Sequence, residues 1–286
     1  MAQIIDGKAI ADAIKGEVML GVAALGGKPP CVVAVQVGED SSSAAYVRSQ
    51  ARQAQKVGIL HRLDQLPATA SETELREKLI TLNADPDVHA VMLQMPLPRG
   101  LDGRRARSWI SAEKDVEAVT ETAAGRLVAG THTTAPCTAL AAMSCLVSAA
   151  KDLSGLDVAV VGRSEIVGRP LGLLLLHANA TVTLCHSRTK NLGAKLKAVD
   201  AVIVAVGKPG LITADMVRED AIVIDVGTNW VEDASEKKGG HLVGDVAFEE
   251  VSQKVAQITP VPGGVGPVTV AILLRNVLEL ARKQRQ

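Results

Sequence analysis

The sequence predicts an α/β fold with parallel sheets, divided into two domains. Three observations carry this. Helix and strand signals alternate along the whole chain. In the second half, short β-branched runs are separated by single helical patterns, which implies βαβ units and a parallel sheet. Glycines recur just after those runs, at the carboxyl ends of the predicted strands, where open α/β sheets bind their ligands.

Composition supports the division. A chain of 286 residues suits two domains, and 47% hydrophobic with 22% charged residues fits a globular protein with a full core. Aromatics are limited to Tyr46, Trp109, Trp230 and Phe248, so Ala, Val, Leu and Ile must build that core. Lys plus Arg and Asp plus Glu both number 31, so the formal charge is zero and nothing favours nucleic acid or an anionic membrane. Cys31, Cys137, Cys145 and Cys185 are scattered and the six histidines lack ligand spacing, so no metal site or disulfide framework is expected. Reduced thiols, no signal-peptide run in MAQIIDGKAI and no long apolar stretch point to a cytoplasmic protein that does not cross a membrane.

The elements follow in order. Asp6 to Leu25 is Ala-rich with helical spacing and is stopped by Gly26-Gly27 and Pro29-Pro30. Cys31 to Val37 is a β-branched run closed by Gly38 and predicts a buried strand. Ser41-Ser42-Ser43 can cap a helix running to about Val57, ended by Gly58. Ser71 with Glu74 forms a capping-box pattern opening a helix to Asn83. Ala90 to Gln94 predicts a strand, followed by the loop MPLPRG. In the second half strands are expected at about 157–161, 180–184, 200–206 and 221–226, and a last helix from about Pro267 to Arg282.

The strand Asp157–Val161 runs into Gly162-Arg163-Ser164-Glu165-Ile166-Val167-Gly168 and then a helix. Glycines at such a turn let the backbone approach a pyrophosphate, and free N–H groups at the helix start face the anion. The spacing departs from G-x-G-x-x-G, so the turn by itself is equally compatible with a plain tight βα connection. The next strand ends in His186-Ser187-Arg188-Thr189. An NAD site normally places an acid there to bind the ribose hydroxyls. Here Ser187 and Arg188, with Arg163, can instead meet a 2′-phosphate, which favours NADP over NAD. Val206-Gly207-Lys208-Pro209 and Gly227-Thr228 add further strand-end loops as cofactor-binding candidates.

Taken in order, GRSEIVGRP, CHSRTKNL, VAVGKPG, VIDVGTN and ITPVPGGVGPVT closely resemble the bifunctional methylenetetrahydrofolate dehydrogenase/cyclohydrolases. The opening IIDGKAIA, the stretch around Tyr46 and VMLQMPLPRGLD do so as well, so the resemblance spans essentially the whole chain. It implies a substrate domain from residues 1–137 with 266–286 and a Rossmann-type NAD(P)-binding domain from 138–265, with tetrahydrofolate in the cleft between them. It also implies a homodimer, and two reactions: oxidation of methylene- to methenyltetrahydrofolate with NADP, then hydrolysis to formyltetrahydrofolate. Tyr46, Gln94 and, at the family's lysine position, Gln50 are the implied catalytic residues, and Glu117, Pro262, Gly263 and Gly264 join Tyr46 and Gln94 in holding substrate.

The sequence departs from the family pattern in three places. The family carries Tyr-x-x-x-Lys; here Tyr46 is followed four residues on by Gln50. In KDVEAVTETAAGRL the family's Asp, Gly, Phe and Asn are Glu117, Ala118, Val119 and Ala123. The Pro and Gly expected after Thr138 are Ala139 and Ala141. The changes fall on the folate side and spare the cofactor side. Hydride loss from an aminal carbon is driven by the nitrogen lone pairs and mainly needs alignment. Ring opening by water needs proton handling, which a lysine suits and Gln50 does not. The expectation is an NADP-dependent dehydrogenase acting on a C–N bond, with hydrolysis lost or weak. Two alternatives accompany it: a paralogue acting on another cyclic amine, imine or folate-like compound, and a non-catalytic NADP- or folate-binding regulator.

Overall fold

The computed structural model describes residues 1–38, 41–233, 235 and 239–286, and for residues 41–46 the backbone alone. In chain order the elements are β1 (Gln3–Ile4), α1 (Gly7–Leu25), β2 (Cys31–Val37), α2 (Ser41–Lys56), β3 (Leu60–Leu66), α3 (Glu72–Ala84) and β4 (Ala90–Leu93). Then come α4 (Gly103–Arg107), α5 (Glu121–Val128), α6 (Cys137–Ala150), β5 (Asp157–Val161), α7 (Gly168–His177), β6 (Thr181–Cys185), α8 (Leu192–Leu196) and β7 (Ala201–Val204). The chain closes with β8 (Ile222–Asp225), β9 (Asn229–Glu232), β10 (Gly240–Val243), α9 (Phe248–Val251), β11 (Gln257–Ile258) and α10 (Val265–Gln284).

The chain forms two compact units. One comprises residues 13–137 and 273–286. Its sheet has the order β3-β2-β4, all parallel. β2 is central and every residue of CVVAVQV is buried, as a strand covered on both faces requires. β3, LHRLDQL, carries no clear strand signal. It is an edge strand whose Arg62 and Asp64 pair with each other, and charge on an edge blunts pairing with other chains. α3 opens with the expected capping box: Ser71 Oγ accepts the Glu74 N–H at 3.2 Å and the Glu74 carboxylate accepts the Ser71 N–H at 2.7 Å. Its Leu75, Leu79 and Leu82 face inward and pack with Val33, Val35 and Leu93 of the sheet.

The other unit comprises residues 1–12 and 138–272. Its sheet has the order β1-β11-β8-β7-β5-β6, parallel throughout. The first twelve residues, expected with the substrate domain, go here because β1 pairs with β11. Residues 266–272, also expected there, go here too, as the first part of α10. β5 is interior: the chain leaves it through α7 to β6 on one side and later returns to β7 on the other. This is a topological switch point, where a crevice opens at the carboxyl ends of the strands. β9 and β10 form a separate antiparallel ribbon that the sequence does not signal.

Candidate active site

The turn from β5 to α7 is built on two glycines. Gly162 has φ +132°, and a Cβ there would overlap the carbonyl of Ala205 at the end of the neighbouring β7. A Cβ on Gly168 would overlap the Gly162 carbonyl. Between them, Ser164 Oγ accepts the N–H groups of Val167 at 3.2 Å and Gly168 at 3.4 Å, closing the turn onto the helix. Arg163 and Ile166 are exposed and Val167 is buried. Two glycines that admit no Cβ, at a strand-to-helix turn beside a switch point, fit a loop whose backbone approaches the pyrophosphate of a dinucleotide.

The loop after β6 is tightly folded. The His186 N–H donates to Thr189 Oγ1 at 2.9 Å, and the Arg188 N–H donates to His186 Nδ1 at 3.2 Å. Ser187 and Arg188 are left exposed, and among the described residues neither Arg188 nor Arg163 is held in an ion pair. Among the described residues both guanidinium groups are therefore exposed and without an ion-pair partner.

The strand-end loops after β7 and β8 are organised by two buried carboxylates that sequence reasoning missed. Asp245 accepts the N–H groups of Val206 at 2.7 Å, Gly207 at 3.0 Å and Lys208 at 2.7 Å. It also accepts Asn229 Nδ2 at 3.0 Å. Asp225 accepts the N–H groups of Gly227, Asp245 and Val246 at 2.9, 3.0 and 2.9 Å. Burial pushes the Asp225 carboxyl up to about 6 against these hydrogen bonds. Val206, expected within a strand, lies in the loop because β7 ends at Val204 and the Val206 N–H turns to Asp245. A cavity of about 270 Å³ is lined by Lys8, Asp225, Gly227, Thr228, Pro262, Gly263 and Gly264, so the predicted PGG segment and the β8 loop share one space.

The other unit holds the predicted catalytic amides. The Gln94 N–H extends the ladder past β4 by donating to the Val35 carbonyl at 2.8 Å. Its side chain is buried, and its Nε2 has no partner among the described residues. Gln50, on α2, is 1% exposed, and neither its Oε1 nor its Nε2 has a partner among the described residues. Buried amide atoms are seldom left unpaired, so these three point to groups that a ligand satisfies. The backbone of Tyr46 lies in α2 one turn before Gln50, and its side chain lies outside the described residues. Glu117 is half-buried. Desolvation pushes its carboxyl up to about 7, Arg107 pulls it back and Asp115 pushes it further up. Arg107 Nε is buried without a partner among the described residues. Ala118 has φ +51°, the left-handed conformation that suits the glycine of the family pattern. Ala139 and Ala141 are fully buried near the start of α6.

Residues 136–285 match the family model for the tetrahydrofolate dehydrogenase/cyclohydrolase NAD(P)-binding domain, and residues 5–117 match that for the catalytic domain. The chain belongs to this family. Relatives agree along its full length. The bifunctional protein FolD of Moorella thermoacetica is 47% identical over 284 residues, covering 99% of both chains. A crystal structure of the bifunctional FolD enzyme from Campylobacter jejuni superposes with a TM-score of 0.93 at 38% identity, covering 99% of each chain. The Trypanosoma brucei enzyme, solved with NADP cofactor and an inhibitor, gives 0.93 at 37% identity, covering 100% of this chain and 99% of that one. Gln50 and Glu117 fall within the catalytic-domain match, whereas Ala118, Val119 and Ala123 lie between the two matched segments.

Proposed function

We infer that this chain is an NADP-dependent oxidoreductase that converts methylene- to methenyltetrahydrofolate by oxidising a C–N bond, and that it hydrolyses the product weakly or not at all. The observation that carries the second half is Gln50, a buried neutral amide, unpartnered among the described residues, where the family pattern has a lysine.

The parts divide as follows. Gly162, Arg163, Ser164, Ile166 and Val167 hold the pyrophosphate side of NADP, and Ser187 and Arg188 meet its 2′-phosphate. The loops Val206-Gly207-Lys208-Pro209 and Gly227-Thr228 complete that site. Bound NADP supplies the hydride acceptor. Tyr46 and Gln94 orient the folate, Pro262, Gly263 and Gly264 wall it in, and the Glu117 carboxylate accepts hydrogen bonds from its amino-pyrimidine edge. The product is a cation delocalised over two nitrogens. Gln50 places no positive charge beside it, so the oxidation is not opposed electrostatically. Water addition and ring opening need a group that exchanges protons near neutral pH, and a Gln amide does not.

The same reading implies a homodimer. Trp230 and Leu242, cross-strand neighbours on the β9–β10 ribbon, are both exposed and offer an apolar patch for it. Sedimentation of Trp230→Ser against wild type checks this. Among the described residues no helix is long and apolar enough to cross a membrane.

The functional test pairs NADP reduction on methylenetetrahydrofolate with loss of methenyltetrahydrofolate above its spontaneous rate. The wild type is expected to do the first and not the second. Gln50→Lys is expected to raise hydrolysis by roughly 10²-fold or more, the scale of one general acid/base group. Strong wild-type hydrolysis overturns the reading. Absence of saturable methylenetetrahydrofolate binding would assign the chain a different substrate.

A further inference from the structure

Three successive N–H groups that converge on one point form a nest, an anion-binding concavity. The loop after β7 makes such a nest with Val206, Gly207 and Lys208, and the molecule fills it with its own Asp245 carboxylate. Asp245 is 0% exposed. The nest is therefore closed to any phosphate of a bound dinucleotide.

The carboxylate belongs to a longer buried chain of hydrogen bonds. Thr259 Oγ1 accepts the Asp225 N–H at 2.7 Å, Asp225 Oδ1 accepts the Asp245 N–H at 3.0 Å, and Asp245 Oδ1 accepts both the Lys208 N–H and Asn229 Nδ2. This chain ties the loop after β7 to the loop after β8. It is also packed tightly, since a Cβ on Gly227 would overlap the Asp245 carboxyl group. The loop it holds begins beside Ala205, whose carbonyl meets the Gly162 turn at the switch point.

We propose that Asp245 is a positioning residue for the cofactor: it presets the 206–208 loop, so that this loop meets the dinucleotide through its carbonyls and side chains, and leaves phosphate binding to the Gly162–Gly168 turn and the Ser187–Arg188 loop. This rests on the NADP reading of the domain. Among the described residues the Asp245 carboxylate acts through the Val206, Gly207 and Lys208 N–H groups and the Asn229 amide. Because the loop serves the part of the site common to both cofactors, its loss weakens NADP and NAD alike.

The test is Asp245→Asn, which keeps the size but turns an NH₂ donor toward the nest. Dissociation constants for NADP and NAD are measured by calorimetry, with melting temperature recorded in parallel. Both constants are expected to rise more than threefold with their ratio unchanged. Val255→Ala, a buried core truncation in the same unit, controls for destabilisation and should leave both within twofold. The proposal is overturned if folded Asp245→Asn binds either cofactor within threefold of wild type, or if Val255→Ala weakens binding as much. If Asp245→Asn does not fold, Asn229→Ala replaces it; a rise of threefold or more in both constants supports the proposal and a smaller change refutes it. A wild type that binds neither dinucleotide would overturn the NADP reading itself, and this proposal with it.

Discussion

The side-chain amide of Asn276 donates to the Val116 carbonyl at 2.9 Å and to the Ala135 carbonyl at 3.1 Å, linking α10 to the residue just before Glu117. Asn276 is 2% exposed, so both carbonyls would lose a buried donor in Asn276→Ala. The expected cost is about 2–3 kcal/mol. Glu117 would also lose the support of its backbone. Folate binding is expected to weaken about fivefold or more, roughly 1 kcal/mol, with NADP affinity little changed. Chemical denaturation and two binding titrations check this; equal loss of both ligands would refute it.

Glu117 should make both stability and folate binding depend on pH. Its folded carboxyl titrates at about 7 against an ordinary 4.5. The folded state thus holds the proton more tightly, and stability falls as pH rises from about 4.5 through 7. Glu117→Gln removes that dependence, so its stability relative to wild type should improve between pH 5 and pH 8. Folate binding runs the other way, since the ionised carboxylate is the acceptor and forms as pH passes 7. Denaturation midpoints at the two pH values test the first claim. A pH series of folate affinity, flat in the Gln variant, tests the second.

Ala118 holds a left-handed conformation at φ +51°. That region costs an L-residue about 1–2 kcal/mol, while glycine adds roughly 0.5–1 kcal/mol of chain entropy. Ala118→Gly is expected to stabilise the protein by about 0.5–1 kcal/mol. A lower melting temperature in the variant would show that the Ala118 methyl, which is buried, contributes more by packing than the backbone loses.

Arg188 should choose between cofactors. It is exposed, unpaired among the described residues and set in a loop without an acid. Arg188→Ala is expected to weaken NADP about tenfold, the scale of one lost hydrogen bond to a charged group, and to leave NAD nearly unchanged. Equal losses for both would move 2′-phosphate recognition elsewhere.

Local elements with strong patterns could be read directly from the residues. β2 was legible as an apolar, mostly β-branched run, α3 because Ser71 and Glu74 close a capping box, and β5 because its strand runs directly into the Gly162 turn. The motifs likewise identified the family, since each one is contiguous. Features that depend on residues far apart in the chain emerged from the fold. β1 joins the Rossmann-type sheet because it finds β11, a strand near the other end of the chain. Asp245 organises a loop 37 to 39 residues before it, and Asn276 supports a carbonyl 160 residues away. A lone Asp after a glycine, or an Asn inside a helix, carries no pattern of its own. Its partners are backbone N–H and C=O groups, which nearly every residue has, so its role is set by proximity in the fold and not by the identity of its neighbours in sequence.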